Sequence, residues 1–300
     1  MELSTMNSFQ HFLVTRMNVD WKISRPKNRQ ERNSLDFLNY RFDIFEKTCY
    51  PSVKSQTNKN FIWIILLDAE LPDSFRNRLA YLRSEMDFLP VYIDSKESLL
   101  ATLKSSIAEN VSDSISHIIT TNFDSDDVMN KNFIQIIQHQ FLGQDFEFIN
   151  FPFGYLYQMK QQKLFLRQWL TAPCHTLIEK YEDLSFETVS SYSHAQVLNH
   201  KNRQVIIKPM WLMTAHEKNV RTQFDVNAAW QPYSRLGSDF DAKFNFPNEN
   251  ILRTLQEGCS QIKTIIFSTK KWDSLKIKLR KITTILCPSL VYFMKKIEYR

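Results

Sequence analysis

Residues Phe61 to Leu67 read Phe-Ile-Trp-Ile-Ile-Leu-Leu and run directly into Asp68. Seven successive apolar side chains leave no polar face in either helical or strand period. The short length and the three isoleucines favour a strand, and a strand apolar on both faces must be covered on both. That requirement selects a sheet enclosed between helices. The flanking segments supply the other parts. Phe9 to Thr15, Leu89 to Ile93 and Ser116 to Thr121 read as further strands. Leu35 to Lys47, Ser74 to Met86, Lys96 to Ala108 and Val128 to Phe141 read as helices, the first closed by Pro51 just beyond it. Strand and helix alternating at this spacing predict an α/β fold with a mostly parallel central sheet.

Beyond residue 146 the pattern shortens. Phe148 to Phe153, Gly154 to Gln158, Leu164 to Trp169, Val205 to Ile207 and Trp211 to Ala215 read as short antiparallel or mixed strands extending the same sheet. Residues 217–248 read as irregular, and residues 249–297 return to helix. The expected division is one α/β domain over 1–248 and a basic helical segment over 249–300.

Composition removes several function classes. The 300 residues include four glycines, and the nearest two, Gly143 and Gly154, are too far apart for a Walker loop or a dinucleotide fingerprint. Cys49, Cys174, Cys259 and Cys287 show no metal-type or Cys-x-x-Cys spacing and read as reduced thiols. The N-terminal stretch lacks the basic and apolar regions of a signal peptide, and no apolar run reaches membrane-spanning length. The net charge of +6 is unevenly placed. Residues 251–300 hold eleven Lys/Arg against three Asp/Glu, and the other 250 hold 27 against 29. The near-neutral body argues against a nucleic-acid groove.

Ligands of open α/β sheets bind outside the carboxyl ends of the strands. That rule puts Thr15-Arg16, Asp68 and the run Asp124-Ser125-Asp126-Asp127 on one rim. Three carboxylates within four residues repel one another, and a hard divalent cation held through oxygen relieves the repulsion. A helix N-cap is the alternative use of Asp or Ser here. The third Asp, the buried strand before it and the rim position favour metal. An EF-hand is excluded, because Met129 and Gln135 stand where its loop needs Gly and Glu. His216-Glu217 is no zinc-protease helix, since Val220 occupies the position of the second histidine.

Several blocks occur in the order found in one family: His11-Phe12-Leu13-Val14-Thr15-Arg16, Arg41-Phe42-Asp43-Ile44-Phe45-Glu46, Pro51-Ser52-Val53 and Phe61-Ile62-Trp63. Thr120-Thr121-Asn122-Phe123-Asp124-Ser125-Asp126-Asp127 and Trp211-Leu212 through His216-Glu217-Lys218-Asn219 follow. Over about residues 8 to 220 the chain resembles the bacterial putative rhamnosyltransferase family. The acidic block and the Trp-Leu…His…Asn block are its most specific parts. Asn122 stands where many members carry an arginine.

The resemblance implies a single-domain GT-A-like fold and a glycosyltransferase using a nucleotide-sugar donor and Mn2+ or Mg2+. On it, Asp124 and Asp126 contact metal or ribose, His216 completes the metal shell, and Asp127 binds metal or positions the donor sugar. Thr15, Arg16 and Asp68 lie at the edge that holds the nucleotide, where an arginine fork suits phosphate. An inverting reaction needs a carboxylate base, for which Glu179 is preferred and Asp239 and Asp241 are alternatives. The acceptor would be a bacterial surface glycan, free or lipid-linked, reached from the cytoplasm or the inner face of the membrane. Two other readings stay open: a nucleotidyltransferase, and a non-catalytic glycan or Ca2+-binding module attached to a membrane.

Leu275, Leu279, Ile282 and Leu286 recur at helical spacing among Lys276, Lys278, Arg280 and Lys281. A basic amphipathic stretch of this kind over 275–298 suits either an anionic membrane surface or a helix packed on protein.

Overall fold

The computed structural model describes residues 8–20, 26, 28–94, 97–171, 173–182, 185–216, 228–244, 246, 249–268 and 274–298. The elements run β1 (Phe9–Arg16), α1 (Arg29–Arg32), α2 (Leu35–Lys47), α3 (Cys49–Lys54), β2 (Ile62–Asp68), α4 (Asp73–Glu85), β3 (Leu89–Ile93), α5 (Leu99–Ala108) and β4 (His117–Asn122). They continue β5 (Val128–Met129), α6 (Phe133–Gln138), β6 (Phe146–Asn150), β7 (Phe153–Gln158), β8 (Lys163–Gln168), β9 (Thr176–Lys180), α7 (His194–Val197) and β10 (Asn202–Gln204). The last are β11 (Trp211–Ala215), β12 (Ala229–Gln231), α8 (Ile251–Ile266), α9 (Leu275–Leu286) and α10 (Pro288–Glu298).

The central sheet has seven strands in the order β10-β6-β9-β4-β1-β2-β3. β3, β2, β1 and β4 are mutually parallel, and β9 enters antiparallel between β4 and β6. This is the mixed α/β architecture the resemblance implies. The apolar run in β2 is covered on both faces, as its pattern demands. Trp63, Ile65 and Leu67 enter a core with Leu38, Phe42 and Phe45 of α2 and Phe75 of α4. Ile64 and Leu66 enter the opposite core with Leu103 and Ile107 of α5. Each such buried side chain contributes roughly 2 kcal/mol. Helix α2 starts where the Ser34 side chain accepts the Phe37 N–H.

The second half departs from the expected single sheet. β6, β9 and β10 extend the central sheet, but β7, β8, β11, β12 and β5 form a second one in the order β12-β8-β7-β11-β5. The cause lies at Pro152. Phe148 to Phe153 cannot be one strand, because Pro152 has no N–H to donate. The strand stops at Asn150, and Phe153 opens β7 in the other sheet. Val128 and Met129 likewise pair with Leu212 and Trp211 before the helix begins at Phe133. The edge strand expected at Val205 to Ile207 lies at Asn202–Gln204. Lys96 and Glu217 to Asn219 lie outside the described residues.

Gly154 has a specific reason to be glycine. A Cβ there would lie 2.0 Å from the Trp211 indole, which crosses it from the neighbouring strand β11. The C-terminal helices pack on the second sheet. Ile262, Ile265 and Ile285 meet Trp230, Phe165 and Leu156, and the Tyr292 ring lies 4.7 Å from that of Phe153. Among the described residues no helix is long and apolar enough to cross a membrane.

Candidate active site

The acidic residues occupy the turn between β4 and β5, where the chain passes from one sheet to the other. β11 stitches the turn down. The Thr214 N–H donates to Asp127 Oδ1 at 3.1 Å, and the Thr214 hydroxyl donates to the Asp126 carbonyl at 2.6 Å. The expected rim is formed. Arg16 at the end of β1 reaches Asp124 Oδ1 at 2.7 Å. His216, just past β11, has Nε2 3.0 Å from Asp126 Oδ2. Positions 16, 124, 126 and 216 thus meet across 200 residues of sequence.

Arg41 of α2 completes the cluster, a role that sequence reading did not assign. Its Nη1 lies 3.1 Å from the same Asp126 Oδ2 and 3.3 Å from Ser125 Oγ. Tyr40, its neighbour, lays its ring 5.3 Å from that of His216. The available signal was Arg41 heading one of the family-like blocks, on the face of α2 that also carries Phe37 and Phe45.

The three carboxylates are electrostatically unlike. Burial would raise the Asp126 carboxyl, but the charge of Arg41 and then the hydrogen bond from His216 hold it below the ordinary range. Asp127 is pushed well above that range, first by burial and then by Asp126 and Asp124. Asp124 is the most open of the three.

Other expected residues are elsewhere engaged. The Thr15 hydroxyl is buried and accepts the Trp63 indole N–H at 2.9 Å. Asp68 takes a fork from Arg29, with Nη2 at 2.7 Å and Nε at 2.9 Å, and accepts the Glu70 N–H. Burial works to raise its carboxyl, but these bonds hold it low. Glu179 is not brought to the acidic turn. β9 runs away from the rim, so Thr176 pairs with Thr121 and Glu179 with Ile118, about 10 Å further along the sheet. Its two oxygens accept the N–H groups of Glu187 and Thr188 at 2.7 and 2.8 Å. Asp239 pairs with Lys208 and Lys131, and Asp241 is exposed.

A second group of rings lies by the end of β4, where the Asn122 N–H donates to the His175 carbonyl at 3.2 Å. The His194 ring lies 5.4 Å from that of Trp169 and 4.9 Å from that of His175. The Arg167 guanidinium stands 4.2 Å over Trp169. His194 senses the acidic turn: burial lowers its pKa most, Asp124 raises it and Arg16 lowers it. No residue spacing announced this group, because its members come from the loop after β8, the approach to β9 and α7.

Among the described residues no group of three or more His, Cys, Asp or Glu side chains forms a ready metal cage. Asp126 and His216 nevertheless offer donor types that a divalent cation takes, a carboxylate oxygen and an imidazole nitrogen. Asp126 Oδ2 and His216 Nε2 share a hydrogen bond of 3.0 Å, and the same oxygen takes Arg41 Nη1 at 3.1 Å.

The sequence matches the family model described as putative rhamnosyl transferase over residues 22–228. The chain belongs to that family. Its fold is mixed α/β. No curated protein matches the chain in sequence. Its structure is similar to that of S. aureus TarS 1-349, with a TM-score of 0.36 and 9% identity over 69% of this chain and 60% of that one. The chain thus spans less than two thirds of that neighbour's length. A nucleotide-diphospho-sugar transferase from Desulfovibrio desulfuricans gives 0.35 at 9% identity, covering 71% and 83%. The 4-diphosphocytidyl-2C-methyl-D-erythritol synthase of Anaerococcus prevotii gives 0.32 at 6%, covering 73% and 93%.

Proposed function

We propose that this glycosyltransferase moves a sugar, rhamnose by its family's description, from a nucleotide-sugar to a bacterial glycan acceptor. The observation that carries the reading is the meeting of Arg16, Arg41 and His216 on the acidic turn at the carboxyl rim. Donor cleavage leaves a nucleoside diphosphate whose charge grows as the glycosidic bond breaks. Arg16 and Arg41 are placed to shift from carboxylate to phosphate oxygens, for which their planar forks are suited. Asp126 and His216, with Asp124 beside them, would hold Mn2+ or Mg2+, which when bound supplies Lewis-acid stabilisation of the diphosphate. Asp127 holds the turn against β11 and so positions the donor sugar rather than acting as a base.

The nucleotide half lies toward Arg16 and Asp68 at the ends of β1 and β2, with Asp68 kept ionised by Arg29. The acceptor approaches from the side of Trp169 and His194, where an aromatic face and an imidazole suit a sugar ring and its hydroxyl. Residues 1–248 act as the transferase unit in this reading, and 249–300 as an appended basic helical unit.

The test is thermal unfolding with UDP, dTDP, GDP and CDP, each with and without Mn2+. A ligand bound only by the native state at about 100 times its Kd adds about 2.7 kcal/mol. One nucleotide should raise the Tm by several degrees in a Mn2+-dependent way, and Asp126→Ala should remove that rise. No shift with any of the four, from folded protein, overturns the donor reading. Release of pyrophosphate instead of nucleoside diphosphate during turnover would identify nucleotidyl transfer.

A further inference from the structure

The apolar stripe of α9 does not do what such a stripe usually does. Leu275, Leu279 and Leu286 share one helical face, and a face of this kind normally packs inward. Here it faces out: Leu275 is 73% exposed and Leu286 64%. α9 rests on the protein through Thr284 and Ile285 instead. α10 repeats the arrangement. Leu290, Phe293, Met294 and Ile297, spaced i, i+3, i+4, i+7, are all exposed, Phe293 by 62%. The residues that α10 buries are Pro288 and Val291. α8 buries none of its residues and is followed by Phe267, 77% exposed.

Twelve of the sixteen exposed large apolar side chains among the described residues fall between Ile251 and Ile297. Concentration on three successive helices separates this from the scattered exposure of ordinary surfaces. The same region holds the chain's excess positive charge, eleven Lys/Arg against three Asp/Glu over 251–300. Lys276, Lys278, Arg280, Lys281, Lys295 and Lys296 lie on α9 and α10 among the outward leucines and phenylalanine.

These two features select the occupant. A second copy of the chain would bring an equal positive excess against this one and be repelled. An anionic bilayer offers acyl chains to the leucines and phenylalanine and phosphate to the lysines. We propose that α8, α9 and α10 form a docking surface for anionic phospholipid, which holds the transferase on a membrane without spanning it. This goes beyond the donor chemistry and does not depend on it. It accounts for how a lipid-carried acceptor would be met.

The test is sedimentation of the full chain with vesicles. Phosphatidylcholine containing about a third phosphatidylglycerol should pellet the protein at about 0.1 M salt. Pure phosphatidylcholine should bind at least tenfold more weakly, and about 0.5 M salt should reverse the anionic binding. The double variant Leu279→Ser/Phe293→Ser should lose at least tenfold in vesicle affinity. Lys276→Glu/Lys296→Glu should lose a similar factor. All four positions are exposed, so both variants should keep the wild-type unfolding profile. Failure of folded wild type to bind, equal binding to both vesicle types, or wild-type binding by the leucine and phenylalanine variant each overturns the proposal. A concentration-dependent dimer that the same variant abolishes, without vesicle binding, would assign the face to a second copy. Vesicle binding is read without turnover, so its failure and failure of the transferase reading are separate results.

Discussion

Glu179→Gln separates two uses of one buried carboxylate. The apolar run before it recommends Glu179 as a base, but its surroundings make it a backbone tie. Its two oxygens take the N–H groups of Glu187 and Thr188 at 2.7 and 2.8 Å, and the carboxylate is buried. Thr188 is held at φ 69°, a left-handed conformation costly for a β-branched residue. The next N–H, that of Val189, donates to the Thr120 hydroxyl on β4. The tie therefore secures the segment that leads over β4 toward α7. Hydrogen bonds to a charged acceptor contribute about 1.5–3 kcal/mol each. Glu179→Ala removes both and orphans the fully buried Thr188 N–H, so it should cost about 3–5 kcal/mol. Glu179→Gln keeps one acceptor and turns an NH2 group toward the other donor, so about half that loss is expected. Urea unfolding followed by tryptophan fluorescence reads the midpoint, with an unchanged slope confirming that stability moved. Sugar transfer by Glu179→Gln, measured well below its midpoint, should stay within a few-fold of wild type. A catalytic base would give the opposite pattern: an unmoved midpoint with a loss of about 100-fold or more in kcat. That result would refute the reasoning.

Gly154→Ala should cost about 3 kcal/mol, since the new Cβ needs space held by the Trp211 ring; thermal unfolding checks it, and an unchanged Tm would deny the crossing. Asp126→Asn should be about 2 kcal/mol less stable than wild type at pH 7, because Arg41 and His216 lose their carboxylate. The folded-state pKa of Asp126 lies below the unfolded one, so its stabilisation is present above about pH 4 and fades as pH falls toward 2. The gap between the two urea midpoints should close over that interval, and a constant gap would contradict it. A thiol reagent should modify Cys259 and Cys287 quickly in native protein, both being exposed, and reach the buried Cys49 and Cys174 only in denaturant. Four fast thiols without denaturant would contradict the packing around β1 and β9.

Much of the fold was legible in local pattern. Phe61 to Leu67 announced a covered strand because its neighbours in sequence are also its neighbours in the sheet, with parallel strands joined by helices. The rim was legible for the same reason: in such a sheet the carboxyl ends face one way, so Arg16 and the acidic turn had to converge. The second half was less legible. Its strands are short, and their partners lie far along the chain, as when Trp211 pairs with Met129. Pro152 was visible as a strand breaker, but nothing local says that the chain then enters a different sheet.

Arg41, His194 and Trp169 were legible as residues and not as neighbours. Each sits on its own element, and only tertiary packing brings Arg41 of α2 to the acidic turn and sets His194 of α7 against Trp169 and His175. The outward face of α9 is the sharpest case. The sequence alone determines that Leu275, Leu279, Ile282 and Leu286 share a face, because helix period does not depend on tertiary contacts. Which way that face turns is decided by tertiary packing: Thr284 and Ile285 meet the second sheet, and the leucines are left outside. Periodicity is a property of one segment, whereas burial is a competition among all of them.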